Sequence, residues 1–255
     1  MDGLHRVTSP QPAPPPSVLD WTRHALFLDF DGTLAPLVAR PEDVVMAAST
    51  RELISTAMRV TDGAVAVISG RALDDLAGML GPLSPAMSGS HGAEVRLTGG
   101  DAQSGSIDGG ALDGAFADLS DMASDAGLLL ERKPGAVALH YRNRPELERA
   151  SIHAVTRAAR QHGLRAMHGN MVSEAALAGI DKGSALRAFM EQPPFHGRVP
   201  VMIGDDTTDE DGFAAAQEMG GAGLRIGGTE TCARYRVATM DAALAWLGRT
   251  LERAA

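Results

Sequence analysis

The chain is short of several things, and each shortage removes a class of function. One cysteine, Cys232, occurs in 255 residues. That excludes an internal disulfide and any multi-cysteine metal centre, and no general base stands beside Cys232 in sequence to make it a nucleophile. No apolar run approaches the roughly 18 to 20 residues that a membrane-spanning helix requires, and the proline-rich start lacks the hydrophobic segment of a signal peptide. A soluble, cytoplasmic protein with no membrane partner is expected, and a monomer. Positive charge is also scarce: 23 Lys and Arg stand against 32 Asp and Glu, a formal net charge of −9. A surface that tracks nucleic-acid phosphates needs clustered cations, so no nucleic-acid partner is expected. Any anionic substrate must instead meet a few individually placed cations.

What is present is a hydrophobic content of 44%, ample for a packed core, and one stretch that organises the rest. In Phe27-Leu28-Asp29-Phe30-Asp31-Gly32-Thr33-Leu34 an apolar strand runs into a tight polar loop that carries two carboxylates two residues apart. Carboxylates this close repel unless a cation lies between them or one is protonated, so the pair implies a metal ion or a shifted pKa.

Taken in order, residues 1–22 read as a flexible Pro-rich leader, because Pro10, Pro12, Pro14, Pro15 and Pro16 disfavour helix and sheet. A first αβ rhythm follows: a strand over about 24–30, a helix over 51–58, a buried strand over 64–68 and a helix over 73–80. Residues 99–110, rich in Gly, Ser and Asp without period, read as a linker. A second rhythm then runs helix (111–126), strands (128–132 and 137–142), helix (145–162) and strands (164–168 and 171–175), with Gly169-Asn170 as a hairpin signal. The first rhythm resumes with a helix at 182–190, a strand at 199–203, a helix at 208–219, strands at 224–226 and 237–239 and a helix at 241–253. The pattern predicts an α/β fold: a doubly wound, mostly parallel Rossmann-like core (23–98 and 177–255) with an inserted α/β cap (99–176).

In such sheets ligands sit at the carboxyl ends of the strands. Four motifs can be placed there: Asp29-Phe30-Asp31-Gly32-Thr33, Ser69-Gly70-Arg71, Lys182-Gly183-Ser184, and Gly204-Asp205-Asp206-Thr207-Thr208-Asp209-Glu210. Together they suit phosphate-ester hydrolysis. Asp29 is the candidate nucleophile and Asp31 the candidate acid and base. Ser69 and Gly70, at a strand-to-helix turn, can hold phosphate oxygens together with Arg71 and Lys182. Mg²⁺ can take oxygens from Asp29, from the backbone near Asp31 and from Asp205, with Asp206 and Asp209 as further candidates. The acidic run 205–211 does not fit a calcium loop, whose first ligand would be Thr207.

The four motifs resemble the signature of the haloacid dehalogenase superfamily. Leu34-Ala35-Pro36-Leu37, Ser90-His91-Gly92-Ala93-Glu94, Glu131-Arg132-Lys133, Leu139-His140-Tyr141-Arg142 and Asp206-Thr207-Thr208-Asp209-Glu210-Asp211 narrow the resemblance to the trehalose-6-phosphate phosphatases, over about 26–247. The resemblance implies a Mg²⁺ cofactor, a phospho-aspartate intermediate, and a cap that closes over a sugar-phosphate substrate. It also implies that Glu131, Lys133, Arg142 and Glu174, with His91, face the sugar. One departure stands out: the family commonly has Arg-Pro shortly after the glutamate corresponding to Glu174, and this chain has Ala176-Leu177. The same chemistry on another sugar phosphate, of the sucrose phosphate or mannosylglycerate phosphate type, is the nearest alternative. A phosphomutase and a non-catalytic sugar-phosphate sensor are the others, the sensor disfavoured because a binding module has no use for a nucleophile beside an acid.

Overall fold

The computed structural model describes residues 12–38, 40, 43–98, 100, 102–104, 109–169 and 171–254. In chain order the elements are β1 (His24–Leu28), α1 (Ala48–Val60), β2 (Val65–Ile68), α2 (Leu73–Leu80), β3 (Ala86–Gly89), β4 (Glu94–Arg96) and β5 (Ala102–Ser104). The second rhythm gives α3 (Gly109–Ala126), β6 (Leu129–Lys133), β7 (Ala136–His140), α4 (Glu148–Gln161), β8 (Arg165–Gly169) and β9 (Val172–Ala176). The chain ends with α5 (Lys182–Met190), β10 (Val199–Gly204), α6 (Glu210–Glu218), β11 (Ala222–Ile226), β12 (Tyr235–Val237) and α7 (Met240–Glu252). No helix among the described residues is long and apolar enough to cross a membrane.

β1 is the first strand in sequence and lies in the middle of an eight-stranded sheet of order β12-β11-β10-β1-β2-β3-β4-β5. The strands from β12 to β3 pair in parallel; β4 and β5 are antiparallel additions. Strand order reverses beside β1, where helical crossovers lead away to both faces. Period-two alternation sorts the side chains. Leu26, Leu28, Val65 and Val67 pack with α1, α2 and α7 on one face, while Phe27, Ala66 and Ile68 pack with Phe189, Phe195 and Phe213 on the other. Phe27, Phe189 and Phe195 stack at centroid separations of 5.4 to 6.2 Å, anchoring α5 to the sheet.

The inserted segment builds its own sheet, β6-β7-β9-β8, all antiparallel, over a separate core of α3 and α4 side chains. Leu128, Val137, Leu139 and Ala175 point into that core. The alternate residues, among them Lys133, Ala136, Ala138 and Glu174, turn the other way, toward the main sheet: a Cβ on Gly135, in the β6–β7 turn, would crowd Ala93 of the core.

Three expectations need correction. Residues 99–110 are not wholly a linker: β5 extends the core sheet past the expected junction at 98/99, because backbone pairing with β4 needs no side-chain period. The segment holding β3 and β4 was passed over for the same reason; these strands are short and carry Ser, Gly and Glu rather than a β-branched run. The leader is docked from Pro12 onward. Ala13 N donates to Arg234 O, just before the edge strand β12, and Ala13 O accepts from Arg236 N on it; Pro16 O accepts from Trp246 Nε1 at 2.7 Å, and Trp21 is fully buried. Proline lacks the N–H of a ladder but keeps its carbonyl, so a proline segment can cover a sheet edge without extending it. Residues 1–11 lie outside the described residues, as does Asn170 of the hairpin signal. The pairing of Gly169 with Val172 sets that turn one residue later than predicted, and Met171 carries its positive φ of 62°.

Candidate active site

β10, β1 and β2 are neighbours and run in parallel, so Asp205, Asp29 and Ser69, which directly follow them, converge on one edge. The loop after β1 turns sharply at Gly32, whose φ is +84°. A Cβ there would both strain the backbone and collide with the Asp205 carboxylate. Gly32→Ala therefore displaces Asp205, and we expect activity to fall at least about tenfold in a protein that still folds, read by phosphate release and circular dichroism.

Asp29 is buried, and its Oδ1 accepts from Lys182 Nζ at 2.6 Å; the same ammonium donates to Asp209 Oδ1 at 2.6 Å. Lys182 reaches this point from the first turn of α5, which is set by a capping box: Asp181 Oδ1 accepts from Ser184 N, and Ser184 Oγ accepts from Asp181 N. Burial alone would lower the lysine pKa, but Asp29 and Asp209 outweigh it and raise it, so the ammonium stays charged. Burial drives the Asp29 carboxyl well above the usual range; Lys182 opposes this and Asp209 and Asp205 add to it. Asp205 is likewise raised to about 6, by burial first and then by Asp209 and Asp206.

Asp31 holds a different cation. Arg71 donates Nε to Asp31 Oδ2 at 2.7 Å and Nη2 to Oδ1 at 2.6 Å, a bidentate fork. The two aspartates of the motif are thus kept from repelling each other by separate partners. Ser69 is buried, with Arg71 N donating to its Oγ at 3.2 Å. Gly70 has no side chain because the His91 ring occupies that space. Ser90 and His91 both have positive φ, and the bend is held by Glu94, whose Oε2 accepts from Ser90 Oγ and from Leu73 N at the start of α2. Burial, then Lys182, lowers the His91 pKa to about 4, so its ring is neutral near pH 7.

Three carboxylates against one ammonium leave an excess of negative charge, and the donors suit a hard cation. Oxygens of Asp29, Asp205 and Asp209 come within 4.8 Å of one another, and Asp205 Oδ1 is buried with no hydrogen-bond partner. Asp209 uses Oδ1 on Lys182 and Oδ2 on Asp206 N, which leaves Asp29 and Asp205 as the direct ligands a Mg²⁺ ion could take. Asp206 does not join them: it is exposed and its carboxylate accepts from Thr207 N at 2.7 Å, capping the next turn. The Asp31 carboxylate is likewise committed to Arg71 rather than to this group.

The cap presents its core-facing sheet surface to the same edge. Glu131, Ala138, Glu174 and Met167 form one cross-strand row. Lys133 donates to Glu174 Oε1 at 2.7 Å, and His140 Nε2 lies 2.8 Å from Glu131 Oε2. Between this face and the loop after β10 lies a cleft of about 780 Å³ lined by His91, Glu174, Arg165, Thr207, Thr208 and Asp211, among others, within the usual range for small-molecule sites. Arg142 lies beyond the end of β7 and is exposed, and of the cap residues expected at the sugar only Glu174 lines this cleft; Glu131, Lys133 and Arg142 do not.

Two arginines in this region escaped sequence reasoning. Arg225, buried at the end of β11, donates to Asp206 O at 2.6 Å and so pins the acidic loop; Arg165 of β8 reaches Asp211 of α6 at 3.3 Å. A lone charge in a short apolar strand was the available signal for Arg225, and Arg165 had none. Cys232 is exposed, and its thiol is pushed up to about 12, by burial and then Glu210, which leaves it a poor nucleophile.

The comparisons agree with one another. A family model described as trehalose-phosphatase matches residues 27–231. A trehalose-6-phosphate phosphatase of Escherichia coli is 36% identical over 88% of this chain and 85% of its own length, and a probable trehalose-phosphate phosphatase of Sinorhizobium fredii is 38% identical over 82% and 79%. Among solved structures, a trehalose-6-phosphate phosphatase related protein superposes with a TM-score of 0.67 at 27% identity over 90% of this chain and 97% of that one. The C-terminal domain of the Candida albicans trehalose-6-phosphate phosphatase shares the fold, with a TM-score of 0.75 at 20% identity over 96% and 99%. With its four motifs gathered at the carboxyl edge of a doubly wound sheet and a second α/β layer facing them, the chain belongs to the trehalose-phosphatase family of the haloacid dehalogenase superfamily.

Proposed function

We propose that the chain is a Mg²⁺-dependent phosphatase that hydrolyses trehalose 6-phosphate to trehalose and phosphate through an aspartyl-phosphate on Asp29, acting as a cytoplasmic monomer. The observation that carries this reading is the division of labour at the site: Asp29 and Asp31 lie two residues apart, yet one is held by Lys182 and the other by Arg71. A bound ion supplies the charge neutralisation that lets a phosphate approach a carboxylate.

The remaining steps fall to side chains. Lys182 orients Asp29 through Oδ1, and the other carboxylate oxygen attacks phosphorus in line with the sugar oxygen. As the phosphorus–sugar oxygen bond breaks, Asp31 gives that oxygen a proton and trehalose leaves. Asp31 then takes a proton from water, whose oxygen attacks the same phosphorus; the bond to Asp29 breaks and phosphate departs. Arg71 must yield Asp31 for this to happen. An arriving phosphate monoester, its oxygens beside Ser69 and Gly70, competes for the guanidinium and frees the Asp31 carboxylate, which takes up a proton from solvent before it serves as the acid. In this reading Glu174 and the neutral His91, which line the cleft, meet sugar hydroxyls, with Lys133 on Glu174 and Glu131 on the same sheet face behind them. The cap excludes water from the phosphorylated enzyme.

Ala176-Leu177, where the family commonly has Arg-Pro, favours a second reading, the same chemistry on a different sugar phosphate. A panel containing trehalose 6-phosphate, sucrose 6-phosphate, mannosylglycerate phosphate and glucose 6-phosphate decides between them. We expect kcat/KM to favour trehalose 6-phosphate by at least about tenfold, roughly 1.4 kcal/mol of transition-state binding. A smaller preference, or a preference for another member, removes the specific assignment.

A further inference from the structure

Arg165, whose side chain lines the cleft, belongs to none of the sequence motifs. β8 is the outer strand of the cap sheet, and Arg165 pairs with Ala176 of β9, in a row that continues through Ala136 to Lys133. Residues in such a row share a face of the sheet, so Arg165 projects from the surface that carries Lys133 and Glu174. Its Nη1 reaches Asp211 Oδ2 on α6 at 3.3 Å, its Nη2 rests 3.5 Å from Met167 Sδ, and its Nε is buried without an acceptor. Among the described residues lining the cleft, Arg165 is the one arginine or lysine. Ala176, its partner across the ladder, offers only a methyl group.

We propose that Arg165 is a specificity-determining residue of the sugar site, donating Nε and Nη hydrogen bonds to sugar hydroxyls while its contact with Asp211 draws the cap strand onto α6. Two independent observations carry this. The buried Nε lacks an acceptor, a desolvation loss that the guanidinium recovers once it turns toward a ligand oxygen. The pair to Asp211 is long and some two-fifths of each side chain is solvent-exposed (40% and 41%), so it holds cap and core weakly and can readjust around a ligand.

The inference rests on the sugar-phosphate reading of the site, and its test separates the two. Full-length wild type, Arg165→Ala, Arg165→Lys and Asp211→Asn are assayed with Mg²⁺ on trehalose 6-phosphate and on p-nitrophenyl phosphate, which has no sugar. Arg165→Ala is expected to lower kcat/KM for trehalose 6-phosphate at least about 30-fold, mainly through KM, and to leave p-nitrophenyl phosphate within about twofold. Arg165→Lys recovers part of the loss, since it keeps the charge but not the fork, and Asp211→Asn shows a smaller loss on the sugar phosphate alone. Equal losses on both substrates mark a merely structural role and overturn the proposal, as does a loss under about threefold on trehalose 6-phosphate by an enzyme whose wild type hydrolyses it well. If wild type prefers another sugar phosphate, the trehalose assignment falls and the same two criteria are applied to the preferred compound. If it hydrolyses none, both fall.

Discussion

Replacing Asp29 with asparagine abolishes phosphate release and leaves the protein folded. The amide oxygen can still accept from Lys182, so the local geometry is retained, but an amide cannot form the acyl-phosphate. A fall in kcat of at least about 10³-fold, roughly 4 kcal/mol of barrier, is expected. Stability should hold or rise slightly, because one of three converging carboxylates is gone and the ammonium keeps Asp209. Asp31→Asn gives a different signature. Loss of the proton donor costs about 10² to 10⁴-fold on a sugar phosphate, and less on p-nitrophenyl phosphate, whose leaving group needs no proton. Steady-state rates on both substrates, with mass spectrometry for the phosphorylated enzyme, check the pair. Near wild-type turnover by Asp29→Asn would refute the assigned nucleophile.

Lys182→Met carries the largest expected effect on stability. The ammonium is buried between Asp29 and Asp209, each at 2.6 Å, and a methionine of similar length fills the space but strands both charges. Breaking one side of a buried ionic group costs about 3 to 5 kcal/mol, a large share of the total for a domain of this size. Activity should be lost as well. The pH dependence has a definite sign. In the variant the Asp29 and Asp205 carboxyls, which burial already pushes up, lose the opposing ammonium, so the folded state binds protons that the unfolded state releases. Stability is therefore retained in acid, below the ordinary carboxylate range, and lost as pH rises through the raised values. Urea unfolding of wild type and variant at several pH values, with and without Mg²⁺, reads this out. A variant whose midpoint matches wild type at pH 7 would show that the lysine does not bind the two loops together. Added Mg²⁺ should restore part of the loss, since it supplies the positive charge the variant lacks.

The motifs were legible because each lies where a local signal is strong. An apolar strand that ends in Asp, Gly and Thr can be read from composition, and parallel winding puts the ends of β10, β1 and β2 side by side whatever the loops do. That Glu131 and Lys133 share a face of the cap sheet was legible, since residues two apart on a strand do so. β3 to β5 were not: backbone pairing to a neighbouring strand, rather than side-chain period, makes them strands. The docked part of the leader was hidden similarly, because its attachment is through carbonyls and one backbone bridge that a row of prolines does not advertise.

From the linear order alone came the proposed chemistry: a candidate nucleophile, a candidate acid, a lysine and an acidic loop, each of a residue type that phosphate-ester hydrolysis demands. Tertiary structure decided the pairings. Arg71 is matched with Asp31, Lys182 with Asp29 and Asp209, and Asp206 is turned away to cap a helical turn. It also set Arg165 across from Ala176 and against Asp211, a meeting of residues far apart in the chain. The physical reason is one of range. Strand ends and turns are written in local sterics and hydrophobic period, whereas which cation neutralises which buried carboxylate depends on a few ångströms between segments brought together only when the sheet is wound and the cap lies over it.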